Sequence, residues 1–165
     1  MTRTGKLVGT VGVIALMSTF LVHAGDLGRL GFPNSGPPEA QEAFVRGVLL
    51  LHSFEYEDAR EAFQEARIIA PGFALAAWGE AMTHNHPLWR QQDREAARAA
   101  LEHLAPTPEA RLARAPTDRE RGFLRAVELL YGEGDKVARD LAYAAAMREL
   151  LSADSPASSR QAGVY

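Results

Sequence analysis

The stretch that decides the fold is residues 40–73, AQEAFVRGVLLLHSFEYEDAREAFQEARIIAPGF. Apolar and small residues recur in it at every third or fourth position in two runs, and residues 53–55 separate the runs. This spacing places apolar side chains on one face of each of two helices. Pro71 follows the second run, as Pro commonly does just past a helix end. We predict one helix from residue 39 to about residue 52 and a second over 56–69.

The same stretch resembles one 34-residue unit of the tetratricopeptide repeat family. When Ala40 is counted as position 1, the packing positions of that family, at 8, 17, 20, 24, 27 and 32, fall on Gly47, Tyr56, Ala59, Phe63, Ala66 and Pro71. The resemblance implies that small residues let the two helices approach closely. It also implies that the aromatic residue at position 24 fills the gap between units and that the proline turns the chain into the next unit.

Four further helices are predicted downstream, over residues 73–85, 91–104, 118–131 and 136–151. Pro87 ends the first of them, because the residue before proline disfavours helical dihedrals. Thr117, with Glu120 three residues later, is the pattern of a capping box and opens the third. Gly132 and Gly134 form the turn before the last. The sparse Val, Ile and Thr content after residue 25 also favours helix over strand.

The rest of the chain matches the repeat more loosely. A second unit starts near Ala74, and a third can be phased from Glu120, but the proline-bounded residues 105–116 break the 34-residue step. Position 20 of the third unit holds Arg139 where the family has a small residue. The resemblance implies an all-α domain over 39–151, in which antiparallel helix pairs stack as a short right-handed solenoid.

The flanking segments have different compositions. Residues 1–24 combine a short basic start, an uncharged apolar run and small residues before a cut after Ala24, which is the layout of a secretory signal peptide. Residues 25–38 are rich in Gly, Pro, Asn and Ser and predict an irregular lead-in, with Asn34 or Ser35 capping the first helix. Residues 152–165 predict a frayed tail. We therefore expect a periplasmic or secreted protein with no membrane attachment after cleavage.

Composition excludes several classes of function. The chain has 165 residues, a net charge of −3 and no basic run, so nucleic acid is not an expected partner. It has no cysteine, which excludes disulfides, thiol nucleophiles and cysteine-ligated zinc. No catalytic constellation stands out. An enzyme is therefore the less favoured class.

Residues 78–89, WGEAMTHNHPLW, hold two Trp and two His. One interpretation is structural: Trp78, Met82 and Trp89 pack between units, and His84, Asn85 and His86 cap a helix end. A second is a Zn or Cu site, in which His52, from the end of the equivalent helix, joins His84 and His86. A third is recognition of a ligand in the concave groove, where the candidate binding residues are His52, Glu55, Glu80, His84, His86 and Trp89.

The favoured function is that of an exported module that binds a protein or peptide on the concave face of the helix pairs. This interpretation needs no cofactor. The alternative is a metal-binding protein, or a metal-dependent enzyme, centred on the histidines.

Overall fold

The computed structural model describes residue 28 and residues 30–153, and the predicted signal peptide and most of the predicted tail lie outside them. The described chain is mostly helical, which confirms the all-α class. Its elements in chain order are α1 (Pro38–His52), α2 (Tyr56–Ile69), α3 (Ala74–Met82), β1 (Asn85–His86), β2 (Gln91–Gln92), α4 (Arg94–Glu102), α5 (Pro108–Leu112), α6 (Asp118–Leu130) and α7 (Lys136–Ala153).

Helices α1 and α2 form the first pair, and their bounds lie within one residue of those that the sequence predicts. The turn between them passes through Phe54, whose backbone lies in the left-handed region at φ 63°. The two helices pack along each other, and α3 then contacts both of them as well as α4 and α6. The centre of the helical core is therefore α3, all of whose residues from Ala74 to Ala81 are buried.

Phe63 of α2 is fully buried between two glycines, one on α1 and one on α3. A Cβ atom placed on Gly47 would lie 2.9 Å from the Phe63 ring, and one placed on Gly79 would lie 2.3 Å from it. Real Cβ atoms do not approach so closely, so both positions need glycine. We name this contact of α1, α2 and α3 the Phe63 layer. Its small residues allow the close helix approach that the sequence predicts at Gly47.

The segment after α3 differs from the prediction. Helix α3 ends at Met82 and α4 begins only at Arg94, so both are shorter than the predicted 73–85 and 91–104. Between them β1 and β2 form a two-stranded antiparallel hairpin around a 3₁₀ turn over Pro87–Trp89, with Arg90 in the left-handed region. The prediction that Pro87 ends the helix is wrong, because α3 ends at Met82 and Pro87 begins the 3₁₀ turn. The polar residues after Pro87 pair as a hairpin and do not extend α4.

Helix α6 begins with the predicted capping box, because Thr117 and Glu120 exchange side-chain and backbone hydrogen bonds. Glu120 is 1 % exposed. Glu128 accepts two hydrogen bonds, at 2.5 and 2.9 Å, from the buried guanidinium of Arg111 on α5. The Pro-bounded insert is thus attached to α6 by an ion pair.

Helices α6 and α7 form the last pair. Arg139 of α7 is buried and donates hydrogen bonds to the backbone oxygens of Leu130 and Gly134 and to the side chain of Gln92. Helix α7 continues through Ala153, two residues past the predicted end. Its Leu141 remains exposed. Across residue 28 and residues 30–153, no helix combines the length and the apolar character needed to span a bilayer.

The lead-in was predicted to cap α1, and that prediction is wrong. The N-cap of α1 is Pro37, which makes no side-chain cap. Asn34 bonds instead to Gln41, and Ser35 bonds to Glu120 on α6. The described part of the lead-in is therefore attached to the helices across the domain.

Candidate functional site

An apolar cavity of about 280 Å³ lies where the three helices α1, α3 and α6 meet α7 and the hairpin. Most of its lining residues are aromatic, aliphatic or methionine. Its lining residues are Phe32, Leu51, His52, Phe54, Tyr56, Trp78, Met82, Asn85, Pro87, Phe123, Tyr143 and Met147. Concave sites with this composition and a few polar groups are the usual places where proteins bind ligands.

Trp78 supplies an unused hydrogen-bond donor beside this cavity. The side chain is 6 % exposed, and its ring packs 5.0 Å from the ring of Phe123 and 6.1 Å from that of Phe32, measured between centroids. Within the described part of the chain, its indole N–H is the one buried side-chain polar atom without a hydrogen-bond partner. A buried donor without a partner costs free energy, on the order of 1–3 kcal/mol, that a ligand can recover.

Aromatic rings form a partly exposed rim next to the cavity. The Tyr56 ring at the start of α2 stacks on His86 of the hairpin, with centroids 3.9 Å apart, and Trp89 lies edge-on to both rings. The ring nitrogen Nε2 of His86 also lies 2.9 Å from the Thr83 carbonyl oxygen. Trp89 is 57 % exposed, so the expectation that it packs between units is wrong.

A polar cleft of about 740 Å³ also borders the hairpin. Its lining comes from α2, the hairpin and the start of α4, namely Glu57, Arg60, Thr83, His84, His86, Gln91, Gln92, Asp93, Arg94, Glu95 and Ala96. Burial, followed by the charge of Arg60, lowers the pKa of His84 below its ordinary value. The lowered pKa favours the neutral form of the His84 imidazole at pH 7, beside the charged side chains that line the cleft.

The predicted binding residues are divided between these places. His52 lines the apolar cavity, whereas His84 and His86 line the polar cleft. Glu55 is exposed at the N-cap of α2, and it lines neither the apolar cavity nor the polar cleft.

Glu80 is not available for binding, because it is 3 % exposed and accepts hydrogen bonds from Arg67 and Gln64 on α2. Its position on α3 puts it on the side that packs against α2, so its role is to join two helices. The groove interpretation placed it at the surface, and the structure corrects that placement.

The metal interpretation needs three donors close together. Within residue 28 and residues 30–153, no group of three or more His, Asp or Glu side chains is arranged to hold a metal ion. His52 faces a different cavity from His84 and His86, which removes the third imidazole from the proposed set.

Sequence reasoning missed several cavity residues. Phe123 lies on α6, Tyr143 and Met147 lie on α7, and Phe32 lies in the lead-in, where a Gly- and Pro-rich composition indicates only loop. Nothing in the sequence shows that these four residues meet at one cavity. In comparisons of the chain with protein-family models, with curated proteins and with solved structures, nothing matched.

Proposed function

We propose that this protein is an exported peptide-binding module with the helix arrangement of a short tetratricopeptide-like array. In such an array the first helix of each pair lines a concave groove, and the pairs here would be α1–α2, α3–α4 and α6–α7. The contacts of α3 with α1, α2, α4 and α6 support this arrangement. The three first helices all contribute to the apolar cavity, which lies where the groove of the array would be.

The observation that carries the proposal is the chemistry of the apolar cavity. Its walls are aromatic rings and the flexible thioethers of Met82 and Met147, which adapt to an apolar guest. One of the lining residues, Trp78, has a buried indole N–H without a hydrogen-bond partner. A large apolar side chain would fill the cavity, and a carbonyl oxygen of the same peptide would accept from Trp78. Anchors of this kind carry most of the binding energy in protein interfaces.

The size of the cavity sets the size of the guest. Its volume of about 280 Å³ is at the lower end of the range for small-molecule sites, roughly 300–1,000 Å³. It suits one or two side chains better than a whole cofactor. The exposed aromatic rim with Tyr56, His86 and Trp89 would then contact the adjoining residues of the peptide.

Selection of peptides from a random display library against the full chain tests this proposal. We expect the selected peptides to share a large apolar residue and to lose affinity by about tenfold or more on Met147→Lys, which places a charge in the cavity. Leu141→Lys, on an exposed site of the same helix, is the matched control and should bind as the wild type does. Selected peptides that bind both variants equally would place recognition elsewhere.

Export is the second part of the proposal and rests on the predicted signal peptide. When the full chain is produced in a bacterial host with a secretory pathway, we expect mass spectrometry of the exported protein to show a new N-terminus at Gly25. Ala24→Arg should block the cut, because signal cleavage needs a small residue there. Recovery of the full-length chain from the cytoplasm alone would contradict this part.

A further inference from the structure

Residues 30–36, LGFPNSG, form a segment without helix or strand structure that contacts the first helices, and we call it the strap. Its burial alternates along the chain: Gly31, Pro33 and Ser35 are exposed, whereas the residues between them are partly buried. A period of two is the pattern of an extended peptide lying on a surface. The strap therefore has the burial pattern of a bound peptide, although it belongs to the same chain.

Phe32 anchors the strap in an aromatic site formed by α1, α3 and α6. Its ring lies 5.5 Å from the ring of Phe44, 6.1 Å from that of Trp78 and 5.5 Å from that of Phe123, between centroids. The guanidinium of Arg119 lies 4.8 Å from the centroid of the Phe32 ring, close enough for a cation–π contact. Each contributing helix is a first helix of the proposed array.

Polar contacts fix the direction of the strap. Arg119 donates a hydrogen bond of 2.8 Å to the Pro33 carbonyl oxygen. The backbone N–H and the hydroxyl of Ser35 both donate to Glu120 Oε1 at 2.7 Å. Asn34 and Gln41 exchange two side-chain hydrogen bonds, at 3.0 and 2.7 Å. Side chains of the helices thus contact an aromatic ring, a carbonyl, a side-chain amide and a hydroxyl of the strap.

We propose that the strap is the resident occupant of the peptide groove and that a partner peptide with an aromatic residue followed by proline and, two residues on, a hydroxyl residue displaces it. This inference rests on the proposed peptide-binding function and names its ligand class. The groove recognises such a peptide by the contacts it already makes to the strap. The apolar cavity borders Phe32, so an incoming peptide can bind the cavity first and then replace the strap.

A groove occupied by its own strap binds an external peptide weakly. The apparent affinity falls in proportion to the fraction of molecules with the groove open. Weakening the strap must therefore tighten binding of an external copy of the same sequence. Ser35→Ala removes one of its hydrogen bonds to Glu120 without touching the aromatic anchor, so it is the gentler variant, and Phe32→Ala removes the anchor itself.

The experiment measures fluorescence polarisation of a labelled, end-capped peptide LGFPNSG added to the full chain. We expect it to bind the Ser35→Ala and Phe32→Ala chains at least about tenfold more tightly than the wild type. Ser152→Ala, an exposed serine of α7, is the matched control and should behave as the wild type does. Adding Glu120→Gln to Ser35→Ala should weaken the peptide again, because the serine of the peptide needs that carboxylate. Circular dichroism verifies that each variant is folded.

Three results would overturn the inference. The first is no binding of LGFPNSG to the folded Ser35→Ala and Phe32→Ala chains. The second is equal binding of a peptide LGAPNSG, which lacks the anchor. The third is a wild-type dimer formed by exchange of straps between two copies, seen by light scattering. If display-selected peptides bind the cavity while LGFPNSG does not, this inference fails and the proposed function stands; if neither binds, both fail.

Discussion

The pair α1–α2 and the pair α6–α7 have the same outline, two helices joined by a short turn, but they bury different chemistry. The first pair surrounds Phe63, which is 0 % exposed and fits against glycines on α1 and α3. The last pair buries two charged side chains, Glu120 at 1 % and Arg139 at 8 % exposure. We therefore expect the stability of the first pair to depend on close apolar packing, and that of the last pair to depend on hydrogen bonds between particular groups.

This difference decides what each pair can tolerate. Apolar packing stabilises a protein through many weak contacts, so the free energy lost on truncating a buried side chain increases with the volume removed. A buried polar group has few partners, and removing one leaves another unsatisfied. Substitutions matched between the two pairs should separate these two kinds of stabilisation.

Phe63→Ala should have the largest effect, because it removes the ring at the centre of the Phe63 layer and leaves a cavity that rigid helices cannot fill. We expect the free energy of unfolding to fall by about 3–5 kcal/mol. Urea denaturation measures it. Phe54→Ala is the control, since Phe54 is 50 % exposed. A loss below about 1 kcal/mol would show that the layer is not the core of the first pair.

Arg139→Met tests the corresponding point of the last pair. Methionine keeps most of the volume but leaves the carbonyl oxygens of Leu130 and Gly134 without this donor, and we expect a loss of about 2 kcal/mol. Arg148→Met on the exposed face of the same helix should change stability by less than about 0.5 kcal/mol. Equal effects of the two substitutions, measured by urea denaturation, would mean that the buried hydrogen bonds add nothing.

The two pairs also explain how far the sequence predicts the fold. Helical period and turn residues predict α1 and α2 to within one residue, because an apolar face is a pattern within the helix itself. The hairpin over residues 85–92 cannot be predicted in this way, because its strands have only two residues each and are too short to show a period. Arg139 stands at a repeat position where a small residue is expected. Its guanidinium is buried because it donates to Gln92 and to two backbone carbonyls, and periodicity does not reveal such partners.

For the candidate site, the sequence predicts the region but not the assembly. His52 and Met82 were expected on first helices and do line the apolar cavity. Glu80 was expected in the groove, but its side chain faces α2 instead. Successive residues of a helix point about 100° apart, so an error of one residue in the predicted face moves a side chain to a different neighbour. The sequence does not reveal the contacts of Phe32, because its aromatic partners lie on three helices, and one of them, Phe123, is 91 positions away.

The same substitution, glycine to alanine, should change stability by different amounts in the two regions. At Gly79 the new Cβ atom would lie 2.3 Å from the Phe63 ring, which cannot move, so we expect a net loss of about 1–2 kcal/mol. At Gly122 of α6 it would lie 2.6 Å from Leu150 Cδ1, the end of a flexible side chain.

For Gly122→Ala a small rotation of Leu150 removes the clash, and alanine favours the helix by up to about 1 kcal/mol. We expect its stability to lie within about 0.5 kcal/mol of the wild type, or above it, by thermal denaturation. If both variants lost stability equally, the last pair would be packed as rigidly as the Phe63 layer. That result would remove the distinction between the two pairs.

The smallest effect is a dependence of stability on pH that belongs to the last pair. Desolvation alone would raise the pKa of Glu120, but hydrogen bonds from Ser35 and Thr117 outweigh it and hold the pKa below its ordinary value of 4.5. A carboxyl group whose pKa is lower in the folded state stabilises the fold above the unfolded pKa. That contribution disappears as the pH falls through the folded pKa.

Glu120→Gln keeps the shape but cannot ionise, so it should cost about 1 kcal/mol at pH 7. The gap between wild type and variant should then narrow as the pH falls from neutrality to below the folded pKa, because the wild type alone loses this contribution. Asp118 and Glu133, whose pKa values are also lowered by neighbouring arginines, titrate in both proteins and cancel in the difference. Urea denaturation at a series of pH values measures that difference. A gap that stays constant over the whole series would mean that the hydrogen bonds of Ser35 and Thr117 do not depend on the charge of Glu120, and the strap would then be held mainly by its aromatic anchor.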